Sequence, residues 1–247
     1  MGLILRNNAI IKNLVIGGTG GSGGGGGAEP TDFTSTNLLG HYDMGDSSSW
    51  GGSGTQVNDL SGLGRHATFQ SSPSIGGSGT GTHVTGVTLE TDFYSNRMGV
   101  SEGVPLTMTY SHWFRINGNT SLTDFAETAR TSGGTKLVRF TNNYSNGSIR
   151  VSSMGTDYEI SNFHSTHGTN WVNVAFVADA GSFSVYLNGS LDGTFSDSDN
   201  VASASEGITL YMDNTNIHWA QAAMYSVALS SSQVLGNFNA LKSRYGY

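Results

Sequence analysis

The residues best suited to chemistry in this 247-residue sequence are acids and amides in short polar segments. Asp197, Asp199 and Asn200 lie in SDSDN, and Asp213 and Asn214 lie in DNTN. Clustered loop carboxylates and amide oxygens are the ligands that a hard cation such as Ca²⁺ takes. The same spacing is typical of Asx turns, in which the side chain bonds to nearby backbone. Asp197, Asp199 and Asp213 are therefore candidate calcium ligands, with ordinary turns as the alternative.

Three further segments contain residue types that bind metals. Asp43 and Asp46 precede the first tryptophan in a polar segment and are candidates for the same calcium chemistry. His164 and His167 have the spacing of a metal pair on a helix, but SNFHSTHGTN is typical of a loop, where that spacing has no such meaning. His112 lies on an apolar row of a predicted strand, which favours a core histidine over a ligand. Cysteine is absent, so disulfides and thiolate sites are excluded.

Aromatic residues in polar segments are candidates for sugar binding, because an exposed ring can stack on the face of a sugar. The alternative is that these rings pack beneath long loops. The candidates for glycan stacking are Trp50, Tyr94, Tyr144 and Phe163.

The composition indicates one large domain with an acidic surface. Of the residues, 36% are hydrophobic and only 12% are charged, and the formal net charge is -7. A single sandwich of about 200 residues is common, and a second full domain would not fit beside it. Every acid lies at Glu29 or later. A domain of this charge repels nucleic acid, so no nucleic-acid partner is expected.

The hydrophobic pattern is that of β-strands. Residues 106–116 alternate between apolar and polar, which places an apolar row on one face of a strand. Residues 171–178 are apolar on both faces, as in a central strand of a sandwich. Asn188 and Gly189 tolerate positive φ, which predicts a type I′ hairpin turn. The sequence predicts an all-β fold, an antiparallel β-sandwich of the jelly-roll type.

One short helix is predicted near the C-terminus. Ser230 can act as its N-cap, and Gln233 can complete a capping box. Leu229 lies at the position from which it can contact Val234 as a hydrophobic staple. The helix has a stripe of apolar residues at helical spacing, which is expected to cover an edge or a face of a sheet. The stripe consists of Val234, Leu235, Phe238 and Leu241.

Three blocks resemble a known family. NLLGHYDMGDSSSW with VNDLSGLGRHATF is similar to the opening of laminin G-like, concanavalin A-like domains, including their D-x-S-G-x-G-x-x-A/G loop. WVNVAFVADAGSFSVYLNGSLDGTF resembles their central hairpin, and WAQAAMYSVALSSSQVLGNFNALKSRYG resembles their closing strand, turn and helix. The blocks span residues 38–247 in the family's order. The resemblance implies a concanavalin A-like sandwich with one short C-terminal helix.

The resemblance leaves function open, because such domains include lectins, glucanases and spacers. A retaining glucanase of the group has E-x-D-x-x-E carboxylates. The nearest segment here is Glu90-Thr91-Asp92, with Ser95 at the last position, and no G-x-S-x-G motif occurs. No catalytic residue is nominated, and the protein is expected not to be an enzyme. The segment 221–223 (QAA) stands where the family often has an Asp-Glu metal pair, so calcium remains a candidate only through loop carboxylates.

The N-terminal residues differ from the rest of the chain. Residues 1–16 are apolar with two positive charges and no acid, and residues 17–30 are rich in glycine, which cannot hold a fixed backbone. An exposed apolar segment can add as a strand to a neighbour's sheet. We predict an anchoring arm at 1–16, a flexible linker at 17–30 and a laminin G-like domain at 31–247. The arm residues expected to contact a partner are Leu3, Ile4, Leu5, Arg6, Ile10, Ile11, Lys12, Leu14, Val15 and Ile16.

Three functional hypotheses follow. Domains resembling this one, joined to a short arm, occur in tailed-phage virions as capsid decorations, head fibres or tail adhesins. The first hypothesis is therefore a non-enzymatic virion protein, docked by its arm on a capsid or tail structural protein. The second is a carbohydrate-binding adhesin for cell-surface glycans, and the third is a glycoside hydrolase. The arm is too short to span a bilayer, and homo-oligomerisation stays open.

Overall fold

The computed structural model describes residues 33–91, 107–118, 123–130, 138–143, 146–153, 156–196, 206–212 and 216–247. The predicted arm and linker lie outside these residues. Within them, the strands are β1 (Leu38–Asp43), β2 (Gln56–Val57), β3 (Ala67–Phe69), β4 (Ser74–Gly76), β5 (His83–Thr85), β6 (Val87–Thr91), β7 (Thr107–Ile116), β8 (Thr123–Arg130), β9 (Arg139–Asn143), β10 (Ser148–Ser153), β11 (Thr156–Ile160), β12 (Val172–Asp179), β13 (Ser182–Leu187), β14 (Ser190–Ser196), β15 (Glu206–Met212) and β16 (Ile217–Tyr225). The α-helices are α1 (Phe163–His167) and α2 (Ser231–Leu241), and the 3-10 helices are Gly79–Gly81 and Lys242–Tyr245.

The described strands form two antiparallel sheets of eight strands each. The front sheet has the order β14-β13-β12-β7-β16-β5-β4. Its eighth strand, β1, pairs with the same edge of β16 as β5 does, and β7 pairs with the opposite edge. The back sheet has the order β11-β10-β9-β8-β15-β6-β3-β2. Two packed antiparallel sheets with a short helix near the C-terminus confirm the predicted fold class.

The central strand β7 is buried on both faces. Tyr110 and Phe114 point into the core between the sheets, as the alternating pattern predicts. Trp113, on the opposite face, is also fully buried, because α2 packs over it. The neighbouring strand β12 is likewise buried on both faces, which confirms the interpretation of residues 171–178 as a central strand.

The hairpin between β13 and β14 has the predicted turn. Asn188 and Gly189 both have positive φ, 50° and 78° respectively, as a type I′ turn requires. A Cβ atom at Gly189 would lie 2.9 Å from Cδ1 of Leu235 and 3.0 Å from Cβ of Phe238. Glycine is therefore needed there both for its backbone conformation and because the turn packs closely against α2.

The helix α2 begins with the predicted capping box. The Ser230 side chain accepts from the backbone of Gln233, and the Gln233 side chain accepts from the Ser230 backbone. The stripe prediction is correct for three of its members but wrong for Leu235, which is 43% exposed. Asn237 is buried instead, because its side-chain amide donates to the Tyr225 hydroxyl at 2.9 Å. A buried amide is tolerated here since it has a hydrogen-bond partner.

Candidate functional site

The predicted glycan-stacking residues fall into two groups. Tyr94 and Tyr144 lie outside the described residues. Trp50 and Phe163 are only 3% and 2% exposed, so the prediction that they stack on sugars is wrong for these two. Trp50 packs against Phe69, with ring centroids 5.5 Å apart, and Phe163 belongs to the same core. Trp50 packs beneath the loop that contains it, whereas Phe163 is the first residue of α1 and packs into the core.

The candidate calcium ligands Asp197, Asp199 and Asp213 lie outside the described residues. Asp43 is buried in an ion pair with Arg244, which ties the C-terminal segment to the end of β1. Asp46 accepts the backbone N–H of Ser48 at 2.7 Å, as in an Asx turn. In the part of the chain that the structure describes, no group of three acids or histidines is placed to hold a metal ion.

The three histidines considered above as possible metal ligands make contacts that stabilise the fold. His112 is fully buried, which confirms the prediction of a core histidine, and burial lowers its pKa to about 3. His164 and His167 lie in α1, so the expectation of a loop is wrong at this single helical turn. Nε2 of His164 lies 2.7 Å from Oδ1 of Asn142, and the His167 ring packs against Phe163. The contact with Asn142, on β9, ties α1 to the sandwich, whereas the ring contact of His167 lies within the helix.

The outer surface of the front sheet, facing away from the back sheet, has two parts. Over β12, β13 and most of β7 it is covered by α2 and the C-terminal 3-10 helix, and we call this part the covered half. At its centre the Trp113 ring stacks on Tyr245 and Phe238, with centroids 4.2 and 5.5 Å away. Stacked aromatic side chains of this size dominate local packing energy.

Beyond the covered half, three adjacent strands present polar and cationic side chains on the same surface. His83 comes from β5, His218 from β16 and Arg115 from β7. Arg115 and His218 are directly opposite one another in the strand register. Trp171, just before β12, and Asn117, just after β7, complete a group that we call the open patch. His83 is buried at its floor, whereas the other four are partly exposed.

Hydrogen bonds within the open patch assign the histidine tautomers. His83 Nδ1 lies 3.1 Å from the carbonyl oxygen of Gly81 and therefore donates to it. His83 Nε2 then accepts from Arg115 Nη2 at 3.3 Å. Nε2 of His218 likewise accepts from the Asn117 amide at 3.3 Å, so its proton is on Nδ1.

The tryptophan of the open patch is held from two sides. The Arg115 guanidinium carbon lies 5.1 Å from the centroid of the Trp171 ring, which is a cation–π contact. The Tyr247 hydroxyl donates to the Trp171 carbonyl at 2.6 Å, and the Tyr245 ring lies 5.2 Å from the indole. The C-terminal residues thus fix the position of Trp171 at the border of the covered half.

The open patch carries its positive charge on Arg115. Burial and, to a smaller extent, the nearby Arg115 charge together lower the pKa of His218 to about 4. Burial lowers the pKa of His83 as well, with a smaller contribution from Arg115. Both imidazoles are therefore neutral at pH 7, whereas the guanidinium stays charged.

Two N–H groups of the open patch have no hydrogen-bond acceptor among the described residues, Arg115 Nε and His218 Nδ1. Buried donors without an acceptor are unfavourable and rare in folded proteins. Both atoms are shielded from solvent, so the groups that the open patch offers to a ligand are the partly exposed Arg115 guanidinium, the Asn117 amide and the Trp171 indole. They suit a ligand with oxygen acceptors and an apolar ring face.

A hollow of about 350 Å³ lies beside the N-terminus of α2. The polar side chains that Tyr186 and the first residues of the helix contribute to it are already paired with one another. The Tyr186 hydroxyl lies 3.0 Å from Ser231 Oγ, and Ser230 and Gln233 form the capping box. The open patch is therefore the stronger candidate site.

Sequence reasoning did not nominate the open patch. Arg115 falls on the polar row of the predicted strand, and the apolar pattern predicts Trp171 as the first residue of a central strand, whereas that strand begins at Val172. The shared row of Trp113 and Arg115 was the available signal, since both project to one face. The meeting of Arg115 with His83 and His218 depends on strand register, which a single sequence does not reveal.

The fold and the open patch can be compared with known proteins. Residues 97–235 match the Laminin_G_3 family model, described as "Concanavalin A-like lectin/glucanases superfamily". The chain therefore belongs to this superfamily and contains a lectin-like β-sandwich domain. No curated protein sequence matches it significantly.

Solved structures share the fold. The receptor-binding domain of botulinum neurotoxin D is similar with a TM-score of 0.65 and 12% identity, over 83% of this chain and 53% of that one. The serotype D ligand-binding domain in complex with N-acetylneuraminic acid has a TM-score of 0.63 and 12% identity, over 83% of this chain and 51% of the other. The chain thus spans about half the length of these proteins. At this identity the likeness concerns the fold. No helix of the described residues is long and apolar enough to cross a bilayer.

Proposed function

We propose that the chain is a non-enzymatic, lectin-like display protein that binds glycans through the open patch. The observation that carries the proposal is the partly exposed Arg115–Trp171 pair, beside the partly exposed Asn117 amide. Sugars offer both complements, because their hydroxyls accept hydrogen bonds and their C–H faces pack on aromatic rings.

The comparisons support a binding role. The superfamily includes lectins by its description, and the similar solved structures are named as receptor-binding domains. One of them is a complex with N-acetylneuraminic acid. Glycan recognition is therefore a function that this fold accommodates in other proteins.

A glycan array probed with the full chain, with and without calcium, tests the proposal. We expect binding that Trp171→Ala abolishes. Leu235→Ala is the matched control, because it truncates an exposed apolar side chain on the covered half. A blank array in both conditions would contradict the proposed function, and binding only with calcium would shift the site to loop carboxylates.

For location, we propose that residues 1–16 dock on a capsid or tail structural protein of a virion, with residues 17–30 as a flexible connection. The support is the apolar, acid-free composition of the arm and the adjoining glycine run. Deleting residues 1–16 should abolish incorporation into particles and leave the domain folded. Deleting residues 21–27 shortens the linker and keeps the arm, and it serves as the control. Normal incorporation without the arm would reject docking.

The absence of hydrolase activity is also part of the proposal. Glu90 is exposed and accepts from the Gln70 amide at 2.6 Å, while Asp92 lies outside the described residues. We expect no release of reducing sugar from polysaccharides by the full chain. Release that disappears on Glu90→Ala or Asp92→Ala would establish the hydrolase hypothesis instead.

A further inference from the structure

Arg115 differs from the other arginines whose ion pairs lie within the described residues. Arg150 pairs with Asp157 at 3.3 Å, and Arg244 pairs with Asp43. Arg115 has no carboxylate partner among the described residues, and it contacts a neutral imidazole and an indole instead. A partly buried guanidinium without a counter-ion is unfavourable, so its retention needs an explanation.

The net charge of the open patch limits the charge that its ligand can carry. With both imidazoles neutral, the patch carries one positive charge, which a single carboxylate balances. A phosphate monoester, with close to two negative charges, would exceed it. The planar guanidinium also matches carboxylate geometry, since its N–H groups can pair with both oxygens.

The neighbours of Arg115 add features that a free carboxylate would not use. Trp171 is partly exposed and offers apolar surface, and Asn117 is partly exposed at the rim. The Asn117 amide is the hydrogen-bond donor at the rim, since its NH₂ group has two N–H bonds and lies 3.3 Å from Nε2 of His218, the residue opposite Arg115. An apolar surface, a hydrogen-bond donor and a cation side by side fit a sugar ring that bears an acid group.

We infer that the ligand of the open patch is an acidic sugar, whose carboxylate pairs with Arg115 while its ring contacts the exposed part of Trp171. The inference rests on the proposed glycan-binding function and specifies its substrate class. Uronic and sialic acids are the sugars of this chemistry.

A matched pair of ligands tests the charge requirement on the unaltered full chain. Methyl glucuronide and its methyl ester differ only in the carboxylate charge, and the methyl glycoside of N-acetylneuraminic acid and its ester form a second pair. We expect at least one acid to bind about tenfold or more tightly than its ester in an NMR titration. Equal affinity of acid and ester in both pairs would overturn the inference.

Variants locate the interaction. Arg115→Met should reduce the affinity for the acid to that of the ester, and Arg115→Lys should give an intermediate loss because it keeps the charge without the planar fork. Arg150→Met is the control, because it removes an equal charge from the back sheet. Urea denaturation verifies that each variant is folded, and the acid–ester comparison stands without any variant.

The outcomes separate the two proposals. Ester and acid that bind equally and depend on Trp171 would leave the glycan-binding function intact and refute the acidic-sugar inference. Tight acid binding that survives Arg115→Met would refute the inference by placing the site elsewhere. Absence of binding by acids, esters and array glycans alike would refute both.

Discussion

The covered half and the open patch occupy the same surface of the same strands, yet they have opposite properties. Trp113 and Arg115 are two residues apart on β7 and point to the same side. Trp113 lies beneath aromatic rings and is fully buried, whereas Arg115 is partly exposed and has no counter-ion among the described residues. Between these two positions of one strand, the outer surface of the sheet therefore changes from a buried, packed aromatic side chain to a partly exposed cation.

The C-terminal segment sets the position of this boundary. The ion pair of Arg244 with Asp43 holds the segment against β1, and Tyr245 packs on both Trp113 and Trp171. The cover thus ends where the open patch begins. We propose that the covered half mainly stabilises the fold and that the open patch is used for binding, and the following predictions test this division.

The largest effect is expected from removing the indole at the centre of the covered half. Trp113→Ala should lower the free energy of unfolding by about 3–5 kcal/mol, because it leaves a cavity between the sheet and α2. Trp171→Ala, in the open patch, should cost well under half of that loss because its side chain is already partly in water. Urea denaturation of both variants measures the difference, and equal losses would argue against the division.

The pH dependence of stability should come from the histidines buried inside the sandwich. His112 has its pKa lowered to about 3, so on acidification the unfolded chain takes up a proton near pH 6.5 and the folded protein does not. Stability should therefore fall as the pH drops below 6.5, with His112 contributing about 2 kcal/mol between pH 7 and pH 5. His112→Phe should make urea midpoints less dependent on pH over this range. An unchanged slope would contradict the assignment of His112 as a neutral core residue.

Loosening the cover should have a smaller effect. Ser230→Ala removes the N-cap of α2 and should lower the free energy of unfolding by about 1 kcal/mol. Glycan binding should be unchanged, because the cap lies beside β12 and β13 rather than at the open patch. Binding that weakens in parallel with stability would show that the two regions are coupled. Ser243→Ala, at an exposed serine of the C-terminal 3-10 helix, serves as the control.

The smallest effect on stability is expected at Arg115. Arg115→Met should change the free energy of unfolding by no more than about 1 kcal/mol, because the loss of the hydrogen bond to His83 is offset by removal of a partly buried charge that has no carboxylate partner among the described residues. Arg150→Met gives the reference for an exposed ion pair, which contributes about 0–1 kcal/mol. A large destabilisation by Arg115→Met would mean that the open patch is part of the structural scaffold.

The sequence predicted those features that depend on neighbouring residues along the chain. The alternation in β7, the turn at Asn188 and the capping box at Ser230 are local, and each is confirmed. The candidate stacking residues Trp50 and Phe163 were wrong, because composition around a ring does not reveal whether a loop folds over the core. Long-range contacts decide that question.

The open patch could not be predicted for a related reason. His83, Arg115 and His218 are distant in sequence and meet only through the order β5-β16-β7 and its register. That no carboxylate among the described residues pairs with Arg115 is likewise a property of the folded surface. A single sequence gives the residue types but not which of them become neighbours.

The central claim, that the open patch is the glycan-binding site, is tested most directly by the indole N–H signals in an NMR titration. The protein has four tryptophans, of which Trp113 marks the covered half and Trp171 the open patch. On addition of methyl glucuronide to the ¹⁵N-labelled full chain, we predict that the Trp171 signal shifts and saturates while the Trp113 signal stays in place. A ligand that binds and leaves the Trp171 signal unmoved would contradict the account.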